Sequence, residues 1–146
     1  MSDSNTQSTL SKEQIDSVIA LYSNGQYQEA IDSIKLLNES YPNVPLLFNL
    51  IGACYKSLGQ LKAAAQMFEK AVGIKPDYAE AFKNLGITLD DLGQLDGAVK
   101  CFEKAIIADT NYVDAHYNLA ITLKKLGLLD AAVKSYENVL AINPNF

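Results

Sequence analysis

The feature that most constrains this chain is a repeat of fixed length. Residues 79–112 read AEAFKNLGITLDDLGQLDGAVKCFEKAIIADTNY, and the same pattern returns in residues 45–78 and 113–146. A fainter copy fills residues 11–44, so four copies of 34 residues abut without insertion. A period of about 20–50 residues predicts a stacked array, in which each unit buries its apolar face against its neighbours instead of in one central core.

Each copy carries two helical patterns. In the third, Phe82, Leu85, Gly86 and Leu89 stand at i, i+3, i+4 and i+7, one stripe of a helix A. Gly93 then stops that helix, and Gly25, Gly59 and Gly127 hold the same place in the other copies. Helix B follows, with Leu95, Ala98, Val99, Phe102, Ala105 and Ile106 on one side and an Asp96–Lys100 pair expected on the other. Gly52, Gly86 and Ala120 share one site on helix A, and Ala30, Ala64, Ala98 and Ala132 share one on helix B. Small residues at such sites let helix axes approach closely, with Phe68, Phe102 and Tyr136 filling the space beside the crossing. Pro42, Pro76 and Pro144 end the B helices, whereas the third copy has Thr110 there, so its helix B is expected to end differently.

Counted from the start of a copy, the pattern is a bulky residue at 4, Leu-Gly at 7–8, Tyr or Leu at 11, Gly at 15, Ala at 20, Phe at 24, Ala at 27 and Pro at 32. Residues 45–78 match nearly every site, through Phe48, Ile51, Gly52, Tyr55, Gly59, Ala64, Phe68, Ala71 and Pro76. This resembles the tetratricopeptide repeat (TPR) family. The resemblance implies an all-α, right-handed solenoid of antiparallel helix pairs whose A helices line a concave groove. Residues 11–44 depart through Gln14, Ser17 and Val18 and read as a divergent capping repeat, preceded by a disordered leader over residues 1–10. The chain stops at Phe146, where a next helix A should begin, and Leu128, Tyr136, Val139, Leu140 and Ile142 are expected to form an uncovered apolar face. Family members usually close with an extra polar-faced helix. Absence of that helix implies either a piece of a longer protein or self-association through the open end.

Composition removes several function classes. The net charge is -5, and the four copies carry about -3, +2, -3 and 0, so no copy is a basic patch for nucleic acid. No apolar run approaches the roughly 18 residues of a membrane span, and the first ten residues lack the features of a signal peptide. Cys54 and Cys101 lack CxxC spacing and read as reduced, partly buried thiols. The chain therefore reads as cytoplasmic, without membrane or nucleic-acid partners. His116, the single histidine, takes the place of Phe48 and Phe82 and reads as packing. No catalytic set, metal site or cofactor motif interrupts the repeat, so no enzyme activity and no cofactor are expected.

The groove residues are those the repeat does not require. In the third copy the face opposite the packing stripe carries Glu80, Lys83, Asn84, Ile87, Asp90 and Asp91; in the fourth it carries Asp114, Tyr117, Asn118, Ile121, Lys124 and Lys125. Asn84 and Asn118 share position 6, and a carboxamide both donates and accepts, so a row of them can hold a peptide backbone without reading its side chains. This is similar to the asparagine ladder in the TPR superhelix of O-linked N-acetylglucosamine transferases. The second copy departs, with Leu50 at position 6 and Asn49 beside it. Simple solvation of these amides is the alternative. An apolar end of the groove from Ile15, Ile19, Leu46 and Leu50 is the corresponding expectation for the first two copies. A lysine clamp for an acidic tail lacks its full residue set, and Glu80, Asp90 and Asp91 oppose it.

The reading is a protein–protein interaction scaffold that binds a peptide or partner segment in the groove. Asn84 and Asn118 anchor its backbone, Asn49 is a further groove contact rotated off their row, Ile87 and Ile121 pack beside it, and Lys83, Tyr117 and Lys125 tune selectivity. The alternatives are the recruiting N-terminal region of a larger enzyme, such as a glycosyltransferase, sulfotransferase or methyltransferase, and a self-assembling structural module.

Overall fold

The computed structural model describes residues 9–146, and its described residues are all-α. Eight helices follow in order: α1 (Lys12–Ser23), α2 (Tyr27–Ser40), α3 (Pro45–Ser57), α4 (Leu61–Ile74), α5 (Ala79–Asp91), α6 (Leu95–Ala108), α7 (Val113–Lys125) and α8 (Leu129–Ile142). They fall into two compact units, one ending at Ile74 with α1–α4 and one beginning at Lys75 with α5–α8. Each unit therefore holds two A/B helix pairs.

The A-to-B turn is the same in all four pairs, and glycine makes it possible. Gly25, Gly59, Gly93 and Gly127 adopt φ of 77°, 77°, 80° and 77°. In that conformation the next amide folds back onto helix A: Gln26 donates to the Leu21 carbonyl at 2.9 Å, Gln60 to Tyr55 at 2.9 Å, Gln94 to Leu89 at 2.8 Å and Leu128 to Leu123 at 3.0 Å. This closes the helix end in a Schellman motif and satisfies carbonyls the helix leaves open. The carbonyls of Gln26, Gln60, Gln94 and Leu128 then accept the first bond of helix B, each at 3.0 Å, from Ala30, Ala64, Ala98 and Ala132. One glycine thus ends one helix and aims the next.

Packing within each pair rests on the small sites. A Cβ added to Gly52 would lie 2.6 Å from the Phe68 ring, and one added to Gly86 would lie 2.5 Å from the Phe102 ring. The rings lie directly on bare backbone and are fully buried. The fourth pair departs. Ala120 carries the methyl that the glycines lack, and Tyr136 is only half-buried, with its ring 6.2 Å from that of Tyr117. In the first unit the core gathers Val18, Ala30, Ile31, Ile34, Leu47, Ile51 and Cys54; in the second, Ala98, Phe102, Leu119, Leu123 and Ala132.

Several expectations change. The leader was expected to run through Leu10, and residues 1–8 lie outside the described residues, but Leu10 packs on the first core. Gln14 is no defect in α1: with Ser11 it forms a capping box, Gln14 N–H donating to Ser11 Oγ at 3.1 Å and Ser11 N–H to Gln14 Oε1 at 2.9 Å. Thr110 does not alter its helix, since α2, α4, α6 and α8 all have 14 residues. The Asp109 carboxylate there accepts from the Asn111 amide at 3.2 Å, the same turn that Asn143 makes with the Asn145 amide around Pro144, so the turn forms with or without proline. The Asp96–Lys100 pair does not form; both side chains remain in water, where solvation and side-chain entropy offset the attraction. Val139 does not belong to the open face, because it is buried. Cys54 and Cys101 form no disulfide, and both are buried rather than half-buried.

Two glycine substitutions should act in opposite directions. Gly86→Ala forces a methyl into the buried Phe102 ring and should cost about 1–3 kcal/mol by urea unfolding. Gly73→Ala, on α4 with open space at its Cβ, should gain about 0.5–1 kcal/mol. Burial pushes the Cys54 thiol from its ordinary 9.0 up to about 11. The folded state keeps the proton that the unfolded chain releases, so stability should be level below pH 9 and fall between pH 9 and about 11. Cys54→Ser should flatten that part of the curve, read by denaturation at each pH.

Candidate functional site

The second unit brings α5 and α7 side by side, and their outer faces meet in a shallow concavity of about 120 Å³. Its lining is Ile87, Asp90 and Asp91 from α5, Asn118, Ile121 and Lys125 from α7, and the edge of Phe102 beneath. Pockets for drug-sized ligands reach about 300–1,000 Å³. This one accommodates a side chain or a stretch of backbone.

One carboxylate organises the concavity. Asp90, whose side chain is 11% exposed, accepts from Lys125 Nζ at 2.5 Å and from Thr122 Oγ1 at 2.5 Å. Thr122 is buried, so its hydroxyl needs that acceptor. Lys125 is 51% exposed and can leave the pair at little cost. Asp91 stands exposed beside it. The pocket thus carries an acidic pair partly balanced by one movable cation.

Four of the eight expected site residues converge here: Ile87, Asn118, Ile121 and Lys125. Asn118 is half-buried, and its Nδ2 donates to the Asp114 carbonyl one turn earlier at 2.7 Å. That bond orients the amide and leaves its oxygen as an acceptor. Asn84 lies one turn before Ile87 on α5, also half-buried, and its backbone carbonyl accepts from Thr88 Oγ1 at 2.8 Å. It does not line the concavity.

Three others are occupied elsewhere. Lys83 Nζ stands 5.7 Å from the centre of the Tyr112 ring. Burial first, then Glu80, Asp114 and Asp109, push that phenol up to about 12. Tyr117 sits between aromatic neighbours, 6.2 Å from Tyr136 and 5.0 Å from Phe146, and keeps 37% of its surface exposed. Asn49, in the first unit, is 3% exposed and presents no free surface for a ligand. Its place on α3 puts it on the packed side, about a hundred degrees from Leu50. The expected apolar end of a groove is partly exposed at Ile15 and Ile19, while Leu46 and Leu50 are half-buried.

Thr122 was missed as a site residue, and Asp90 was read only as a charge. Register carries a signal for both. Position 12 alternates Lys56, Asp90, Lys124, and position 13 runs Ser57, Asp91, Lys125, so a carboxylate one helix over from a lysine is visible once copies are aligned. His116 is buried as expected of a packing residue, and its Nε2 bonds the Thr110 carbonyl at 3.0 Å. Among the described residues no group of His, Cys, Asp or Glu is arranged to hold a metal, and no helix is long and apolar enough to cross a membrane.

Comparison with known proteins places these helix pairs. Family models described as tetratricopeptide repeat match residues 47–78 and 113–146, and one described as TPR repeat matches residues 88–127. Together they span more than half of the chain, which belongs to the tetratricopeptide repeat family. Among curated proteins, anaphase-promoting complex subunit 3 of Dictyostelium discoideum is 36% identical over 56 residues, 38% of this chain and 6% of that protein. The chain therefore matches only a small part of that relative's length. Among solved structures, MamA from Desulfovibrio magneticus RS-1 has a TM-score of 0.82 at 24% identity, covering 90% of this chain and 74% of that one. YrrB, described as a TPR protein with an unusual peptide-binding site, has a TM-score of 0.79 at 23% identity over 90% and 68%. The Sgt2 TPR domain from Aspergillus fumigatus has a TM-score of 0.76 at 26% identity over 82% and 83%. The fold is thus the all-α helical-repeat solenoid of this family, and in class the chain is a protein–protein interaction scaffold.

The Asp90 network makes a graded prediction. Asp90→Ala strands the buried Thr122 hydroxyl and should cost about 1–3 kcal/mol. Lys125→Ala removes only an exposed partner and should cost below about 1 kcal/mol. Equal losses for both in urea unfolding would contradict this assignment of the buried group.

Proposed function

We propose that the chain holds a partner protein by an extended segment laid across the outer faces of α5 and α7, with the concavity between them as the anchoring subsite. The observation that carries the reading is the convergence of Ile87, Asn118 and Ile121 with the Asp90–Lys125 pair on one small depression. Two isoleucines supply an apolar seat. The Asn118 oxygen accepts a peptide N–H. Asp91 and the Asp90–Lys125 pair select for a segment that brings a donor or a positive charge, since Lys125 can swing away and leave Asp90 to an incoming cation. Asn84, one turn along α5 in the register of Asn118, extends the row of amides. Asn49 takes no part, because it is buried. Lys83 and Tyr117 act at the edge, through the aromatic rings they already touch. The peptide-binding description of YrrB is consistent with this use of the fold.

Self-association through α8 is a second reading, favoured by a specific stripe. Leu129, Val133 and Leu140 recur along one side of α8 with 59%, 54% and 52% of their surface exposed. The register equivalents of Val133 and Leu140, Val99 and Ile106 on α6, instead pack against the cluster holding Leu119 and Leu123 of α7. A second copy laid along α8 would cover the stripe.

The double substitution Asn84→Ala with Asn118→Ala should weaken capture of the partner by about tenfold or more while helicity by circular dichroism stays unchanged. Unchanged affinity would sink the amide row. Sedimentation should show a dimer that Val133→Lys dissociates; a strict monomer at high concentration removes the second reading.

A further inference from the structure

The repeat register exposes a second site, in the first unit and unrelated to the A-helix face. Three residues of α2 depart from the other copies, and all three fall on one cavity of about 200 Å³ bounded by α2, α3 and α4. Position 24 is Ile34 where the others have Phe68, Phe102 and Tyr136. Position 25 is Lys35 where the others have Glu69, Glu103 and Glu137. Position 28 is Asn38 where the others have Val72, Ile106 and Leu140. The first change opens space, because an aliphatic side chain replaces a ring. The second reverses a charge. The third puts an amide where the repeat wants a hydrocarbon.

The amide is left unsatisfied. Asn38 Oδ1 is buried and has no hydrogen-bond partner. A buried unpaired oxygen is costly, and in a native structure it points to something that pairs with it. The rest of the cavity indicates what. Its inner wall is Ile34, Leu47 and Phe48, all buried. Two cations stand at the exposed edge, Lys35 on α2 and Lys70 on α4, and neither has an ion-pair partner among the described residues. Lys70 Nζ is held 5.8 Å from the centre of the Phe48 ring. Lys104 over Phe82 repeats that contact at 5.7 Å in the second unit, so Lys35 is the charge peculiar to this cavity.

We propose that this cavity binds a small organic carboxylate with an apolar body and a hydrogen-bond donor between the two. The body rests on Ile34, Leu47 and Phe48. The carboxylate meets Lys35 and Lys70 at the edge, where charge-assisted bonds are strongest when partly shielded from water. The donor pairs with Asn38 Oδ1. The volume lies below that of drug-sized pockets and suits a body of one amino-acid side chain. A free N-acylated amino acid and the last residue of a polypeptide share this chemistry.

Titration of the 146-residue chain with N-acetyl-L-leucine, followed by amide NMR shifts, tests it. Saturable shifts confined to α2, α3 and α4 are expected at millimolar ligand. Lys35→Glu, which installs the residue of the other copies, should weaken binding about tenfold or more. Asn38→Val should weaken it several-fold and raise the melting temperature, because the unpaired oxygen is gone. N-acetyl-L-leucinamide, without the carboxylate, should not bind. A pentapeptide ending in leucine separates the sources: tighter binding than N-acetyl-L-leucine assigns the site to chain termini, equal binding to the free acid. No saturable shift with any probe, or equal binding of the amide, or full affinity in Lys35→Glu, overturns the proposal and leaves Asn38 to a structural water.

Discussion

An aromatic ring lying on bare backbone sets the geometry of the helix pairs. Phe68 covers Gly52 and Phe102 covers Gly86, with no room for even a methyl group between them. That contact fixes how closely helix A and helix B approach, and hence which sides of both face outward. With α5 and α6 locked by the Phe102–Gly86 contact, the side of α5 away from the ring carries Asn84 and Ile87. Where the contact is altered, the surface changes with it. Ala120 has a methyl, Tyr136 is half-exposed beside Tyr117, and an aromatic patch with Phe146 results.

The repeat also serves as an internal control. Four copies under the same packing demands show which residues the fold requires, and any departure that costs the fold something needs its own explanation. Some departures are compensated locally. Gln14 joins a capping box, and Asp109 turns the chain where Thr110 replaces proline. His116 in a phenylalanine site is compensated only in part: its Nε2 finds the Thr110 carbonyl, while its Nδ1 is buried without a hydrogen bond. Asn38 is not compensated, and it shares its cavity with two further departures.

Much of the architecture was legible in the residues. The glycine period placed every A-to-B turn, and the alanine and phenylalanine periods placed the crossings. The acidic and basic alternation at position 12 was also readable. The face of an exposed side chain was not enough to settle its partner. Lys125, Lys83 and Tyr117 all belong to the outer face by register, yet one is held by Asp90 and the other two by rings contributed near position 34 of their own copies. Asn49 was misplaced for a related reason. A helix turns by about a hundred degrees per residue, so a one-residue shift from position 6 carries the amide from the outer face into the packed one.

By itself, then, the sequence determined the number of helix pairs, their turns and their crossings, because these depend on local backbone chemistry repeated at a fixed interval. Only the tertiary structure decided which polar groups are spent on the fold and which stay available. Asp90 is committed to Thr122 and Lys125 across two helices, while the Oδ1 of half-buried Asn38 has no partner in a cavity assembled from three. Such pairings depend on distances between helices, and no periodicity along one chain encodes them.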